Sequence, residues 1–498
     1  MTITTDIGKN HRLQPLLLLA ACVLLSLLYC PPVDLFYDDK EIFRYAGFLI
    51  SRGGIPYRDL FDHKPPLIYF LNYFGAITGP WGFWIIDTLL ASLATMLFFR
   101  TCRQYRLSLP WLLPLLFNLL LRNYQVCRGV GMTREYTAIF QLIFFTLMMG
   151  ANRFRYYWMG ILTALIFFMQ QDQILPLLPL LIYAVLTRSE VSPKNRLLHI
   201  LAGGTVITIP LLLYFGINHS LPAFWNEAFV FNFSWYTEKR SFAEHFHAIK
   251  EGLEFTNCEM PLLIALSLGA AVLLMKNAPN KPLVLAALLS AAFCPEFLSS
   301  RSGPAFNYYF LPLSATLTIL VFSVFAFQKN NFLADKKCQT LFGFLLGCLP
   351  LYNAVQHGTH LTNHNKDIVE AYPVYDYLRR QPVATNHEDY QLYIFGDNNW
   401  VYTYNKFHIL APSHWIYQHF WEWFSGWDAG HQELEGIIGD LRSHRTKYIL
   451  DYTGFNWRDQ SAKSIWKDFL HNQYEEVNIP GATTHRLWQL KTTPKLPQ

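Results

Sequence analysis

The chain has 498 residues, 52% of them hydrophobic and 15% charged, with a formal net charge of +5. Soluble domains are about one quarter charged, so this composition excludes an ordinary water-soluble protein and indicates one built for a bilayer. The small positive excess is gathered in a few loops and implies no nucleic-acid partner.

At the start of the chain, Lys9 and Arg12 precede an apolar run that ends at Tyr29-Cys30-Pro31-Pro32. A signal peptide would finish on a small-x-small cleavage site; none follows cleanly, so the run reads as a retained first span. A spanning helix needs about 20 mostly apolar residues. Candidates run approximately 13–30, 83–99, 109–121, 136–151, 156–171, 173–187, 197–216, 259–275, 282–297, 308–327 and 338–355, eleven in all. Stretch 65–80 is also apolar and reads as a partial or re-entrant segment, or as an extension of its neighbour. With the N-terminus inside, the basic loops fall on one side: Arg100/Arg103/Arg106, Arg153/Arg155, Arg188/Lys194/Arg196, Lys276/Lys281 and Lys329/Lys336/Lys337. Clustered Lys and Arg mark cytoplasmic loops. Loops 31–64, 122–135, 217–258 and 298–307, and everything after about 356, then face the periplasm or exterior.

Residues 1–355 thus read as a membrane domain and 356–498 as a soluble α/β domain, with β-like runs at 393–395, 447–450 and 486–490 and helix-like stretches at 364–380 and 431–444. The eight cysteines show no CxxC and no zinc spacing, and none follows Cys348, so they read as buried thiols.

Most of the chemical signal lies in loop 31–64. Asp38-Asp39 opens a helix-like stretch in which Ile42, Tyr45, Ala46 and Leu49 share one face. An acid there suits an N-cap, and an amphipathic helix here is expected to lie on the membrane surface. Gly53-Gly54 end it. Arg58, Asp59, Asp62, His63 and Lys64 then crowd ahead of Pro65-Pro66, which can open a helix entering the bilayer. Cations at that depth suit a lipid phosphate; ordinary interfacial anchoring with Tyr57 and Tyr69 in an aromatic belt explains them as well.

The ordered string Asp39 through Phe70, with Pro56-Tyr57-Arg58-Asp59 and Asp62-His63-Lys64-Pro65-Pro66, resembles the first extracytoplasmic loop of the GT-C glycosyltransferases. More closely, it resembles bacterial members related to the protein O-mannosyltransferases and the lipid A aminoarabinose transferase. Those proteins carry an acid after the first span, an amphipathic helix, and a G-x-P-Y-R-D string ending in Lys before Pro. Thr133-Arg134-Glu135-Tyr136 resembles their second acidic string, with Arg134 where an acid is usual. Weaker likenesses cover Glu227 to Trp235, Gly303 to Tyr309 with Arg301 beside it, and Gln170-Gln171-Asp172, which lacks the usual Lys. The loop Gly396-Asp397-Asn398-Asn399-Trp400 either faces a site or is plain turn chemistry.

The resemblance implies an α-helical polytopic membrane protein of GT-C type, with about 11 transmembrane helices and a C-terminal extracytoplasmic α/β domain, in the bacterial cytoplasmic membrane. It implies transfer of a sugar, with inversion, from a polyprenyl-phosphate donor to a glycan, lipid or protein acceptor. Asp39 would be the general base and Glu135 a second catalytic acid; Arg58, Asp59, Asp62, His63, Lys64, Arg301 and Tyr309 would bind the substrates. Asp39 and Glu135 are also the pair that would hold a divalent cation, magnesium or manganese. A lipid-phosphate flippase and a polymer ligase are the competing readings; flippases usually carry repeats and mid-membrane ionisable residues, and here only Asp87 falls inside an expected span.

Overall fold

A computed structural model describes residues 7–33, 38–107, 109–123, 131–187, 190–236, 280–293, 307–326, 369–424 and 426–491, with isolated positions between 241 and 358. By contacts the chain divides into two compact units that interleave along the sequence. One holds Met1–Leu35, Pro80–Tyr214 and Thr237–His360; the other holds Phe36–Gly79, Phe215–Tyr236 and Leu361–Gln498.

The first unit is helical, as a hydrocarbon environment demands of a chain that must satisfy every backbone polar group internally. Its helices include Ile7–Ser26, Leu112–Leu121, Thr133–Met149, Arg155–Met169, Ile174–Leu186, Lys281–Phe293 and Leu313–Phe325. By length and composition, Leu67–Gln104, Pro193–Ile217 and Tyr308–Phe325 can each cross a membrane. Tyr308–Phe325 is 94% buried, whereas only 22% of Pro193–Ile217 is buried inside the protein. The former is a core helix; the latter keeps Leu197, Leu201 and Leu213 exposed, as a lipid-facing surface would. Expected spans 259–275 and 338–355 lie almost wholly outside the described residues.

Segment 65–80 is helical from Leu67, and the helix breaks at Gly79, whose φ of 78° and ψ of 173° only glycine adopts readily; Pro80 starts the next length of helix.

The second unit contains a four-stranded sheet of order β1-β2-β4-β3. Its strands are β1 (Leu392–Phe395), β2 (Tyr448–Tyr452), β3 (Tyr474–Val477) and β4 (His485–Leu490). β1 and β2 are parallel, and the other pairings are antiparallel. A parallel pair needs a crossover; helix Gln432–Ser443 lies in it and buries Leu434, Ile437, Ile438 and Leu441. Asp397 accepts from the Asn399 N–H and pairs with His485 at 3.0 Å, and Trp400 is 1% exposed, so the Gly396–Trp400 loop is turn and packing chemistry.

Helix Asp38–Ser51 belongs to this unit. Ile42, Tyr45, Ala46 and Leu49 are at most 5% exposed, as the heptad-like spacing requires. Their cover is protein, which corrects the expected membrane-surface helix. The Tyr45 ring lies 5.5 Å from Tyr404, its hydroxyl accepts from the Ala411 N–H at 2.9 Å, and Asn405 donates to the Glu41 carbonyl at 2.9 Å and to its carboxylate at 2.8 Å. On another side a Cβ at Gly47 would stand 2.3 Å from the Asn72 carbonyl carbon, so the two helices cross backbone to backbone. Gly47→Ala is expected to force them apart and cost about 1–3 kcal/mol, read as a lower thermal-unfolding midpoint in detergent. Gly216→Ala, in open space in the same unit, should leave that midpoint unmoved.

Candidate functional site

In the second unit the charged turn Asp62-His63-Lys64 is buried, at 3%, 9% and 8% exposure. Polar backbone can be buried only when its groups are paired, and here the partners come from distant stretches of chain. The Phe61 N–H donates to the His414 carbonyl at 2.9 Å, and the Asp62 N–H donates to a Glu227 carboxylate oxygen at 3.2 Å. Asn232 donates to the His63 carbonyl at 2.7 Å; the Tyr57 and Tyr69 hydroxyls donate to the Lys64 carbonyl at 2.6 and 3.0 Å. Phe61 stacks on Trp415 with centroids 4.0 Å apart. Tyr57, with φ of 68°, is held in the left-handed region by Phe215, Phe224 and Tyr69 rings within 5.7 Å, a conformation that costs a side-chain-bearing residue about 1–2 kcal/mol.

The Asp62 carboxylate accepts from the Tyr417 hydroxyl at 2.9 Å and faces His63 Nδ1 at 3.5 Å. Burial raises its pKa; Lys64 works most strongly against that, and Asp39 adds to the rise. Lys64 and Asp39 therefore act on one carboxyl group from opposite electrostatic signs. Burial also holds Glu227 well above the usual carboxylate range; the Asp62 N–H works against that rise and the Asp62 charge adds to it. His63 is pushed well below its ordinary value by burial and then by the Lys64 charge, so at neutral pH it is an uncharged imidazole. It adds shape to the turn and no positive charge. Arg58 is half exposed and grips Asp59 through two bonds of 2.8 and 2.7 Å, while Asp59 also accepts from the Ile55 N–H at 2.7 Å.

Glu135 and Tyr309 belong to the first unit; Arg301 lies outside the described residues. Glu135 sits beside Arg122, which also bonds Asp87, all three at most 1% exposed. The other Glu135 oxygen accepts from the Gly131 N–H at 2.9 Å. Arg122 escaped the sequence reading because it follows an apolar run and looked like a loop residue. Arg134 does not pair with its neighbour Glu135: it reaches Asp172 at 3.0 Å and lies over the Tyr309 ring at 4.1 Å. The strings containing Thr133, Gln170 and Tyr309 thus converge within one unit, with Thr133 donating to Gln170 at 2.9 Å. Among the described residues no group of three or more His, Cys, Asp or Glu is placed to hold a metal, and both Glu135 oxygens are engaged by protein donors.

The described residues thus form an apolar helical unit, with helices long and apolar enough to cross a membrane, and a unit that joins an acid-led helix, a buried charged turn and a small α/β sheet. The solved structures agree: ArnT from Cupriavidus metallidurans bound to undecaprenyl phosphate matches with a TM-score of 0.61 and 12% identity, over 97% of this chain and 99% of that one. The same protein in the apo state matches with a TM-score of 0.60, also at 12% identity and over 97% and 99% of the two chains. The likeness is of fold, and at that level it bears out the resemblance read from residues 38–70. No family model matches the chain, and no curated protein matches its sequence.

Two outcomes are expected. Arg122→Met leaves two buried carboxylates facing each other and should cost about 3–5 kcal/mol, seen as loss of folded protein in detergent; Arg122→Met with Asp87→Leu and Glu135→Leu should recover much of it. For His63, the unfolded chain takes up a proton near pH 6.5 while the folded chain resists it, so stability is lost as pH falls below that value. His63→Gln should therefore lose less stability than the parent between about pH 7 and pH 5, measured as the difference between their unfolding midpoints.

Proposed function

We propose that the protein is a membrane glycosyltransferase that moves a sugar from a polyprenyl-phosphate donor to an acceptor at the outer face of the cytoplasmic membrane. The observation that carries this is the shared electrostatic neighbourhood of Asp39 and Lys64 around Asp62, in a fold that a protein bound to undecaprenyl phosphate also has. Asp39, part-exposed near the start of its helix, takes the proton from an acceptor O–H or N–H. The freed electron pair forms the bond to the anomeric carbon from the face opposite the phosphate. The carbon–oxygen bond to phosphate breaks, the phosphate keeps that pair, and the Lys64 ammonium offsets the charge. The product is inverted at the sugar carbon.

Glu135 has a different part in this reading. Its carboxylate, engaged by Arg122 and the Gly131 N–H, holds the start of its helix in place. Charge on the leaving phosphate is accordingly carried by side chains, and treatment with EDTA is expected to leave the rate unchanged.

Membranes bearing the protein would be assayed with radiolabelled polyprenyl-phosphate sugars. Asp39→Asn should lower transfer by about 10²–10⁴-fold and Lys64→Ala by about 10²–10³-fold. Full transfer by both variants would defeat the reading. Lipid flipping without transfer in the parent protein would point to the flippase reading.

A further inference from the structure

Within the α/β part of the second unit lies a cavity of 250 Å³, lined by Trp421, Phe424, Trp427, Asp428, Arg458 and Asp459 among others. Of these residues Trp427 borders the turn, its ring 6.4 Å from Phe61, and none hydrogen-bonds it. Three aromatic side chains supply apolar faces; two carboxylates and a guanidinium supply directed donors and acceptors. Trp421 is 5% exposed, and among the described residues its indole N–H, like that of Trp427, has no hydrogen-bond acceptor. Buried indole N–H groups usually find one.

The polar groups are held in position by the surrounding backbone. Asp428 accepts from the Glu433 and Leu434 N–H groups at 3.1 and 3.0 Å. Asp459 accepts from the Ser461 N–H at 2.8 Å and from its hydroxyl at 2.6 Å. Arg458, exposed, donates through Nε to the Glu422 carbonyl, which leaves the fork of the guanidinium to be aimed elsewhere. Two acids against one base make the lining acidic, which disfavours an anion. Aromatic faces beside fixed, mixed donors and acceptors suit a ligand with one C–H face and a hydroxylated edge.

We propose that this cavity binds a neutral saccharide unit. The proposal deepens the transferase reading and rests on it only for the source of that unit, either the acceptor glycan or the sugar carried by the donor lipid.

The test uses the full chain in lipid nanodiscs with maltotriose, chitotriose and trigalacturonate as probes, followed by saturation-transfer NMR. At least one neutral trisaccharide should bind, and trigalacturonate should bind more weakly. Arg458→Gln at the exposed rim and Trp421→Phe, which keeps an aromatic face and loses the N–H, should each weaken binding by about tenfold. Arg379→Gln, the same charge change at an exposed position outside the cavity, should not. Absence of binding by both neutral probes, or unaltered affinity in both cavity variants, overturns the proposal. In the transfer assay, a KM raised by Arg458→Gln for the acceptor alone assigns the site to the acceptor, and one raised for the donor alone assigns it to the donor; either supports a saccharide site. Trisaccharide binding in a protein that transfers no sugar keeps the cavity and removes the transferase reading, and transfer without trisaccharide binding does the reverse.

Discussion

The second unit depends on the burial of three consecutive ionisable residues, Asp62, His63 and Lys64. Charge taken out of water is costly unless it is paired and hydrogen-bonded. Tyr417, from the α/β part, donates to the Asp62 carboxylate, and the turn's backbone is paired by Tyr57 and Tyr69 from the same loop and its following helix and by Glu227 and Asn232 from the π-helical segment after Pro193–Ile217. The non-contiguous composition of the unit follows from that need. A lysine fixed in such a place is also a lysine whose charge is poorly screened, the condition under which it acts strongly on an anion.

The first unit solves the same problem with other means. Asp87 and Glu135 share one guanidinium, whose planar fork presents a separate nitrogen to each carboxylate. Arg134 is placed between Asp172 and the face of Tyr309. In the first unit a cation is thus positioned by an acid and an aromatic ring together.

Local patterning made much of this legible. The apolar runs located the helices, and the spacing of Ile42, Tyr45, Ala46 and Leu49 marked a face that is indeed buried. Strands at 393–395, 447–450 and 486–490 came from short β-branched and aromatic runs between turns. The edge strand Tyr474–Val477, half of it glutamate, shows no such run, because an edge strand faces solvent and carries charge for that reason. What covers the buried helix face was also beyond local pattern, since periodicity says that a face is apolar and not whether lipid or protein meets it. The partners of Asp62 lie up to 355 positions away, and no spacing rule reaches that far. The neutral state of His63 likewise follows from burial, which a sequence does not display.

The bond between Tyr417 and Asp62 spans 355 positions, and that separation has a consequence for biosynthesis. At about 5–20 residues per second, a ribosome needs roughly 20–70 s after making the charged turn before it makes the hydroxyl that meets it. Throughout that interval the nascent chain carries the Asp62 carboxylate without the hydroxyl that donates to it. Any event that stops translation before Tyr417 is made leaves that buried acid without its donor, at the cost of an unpaired charged group.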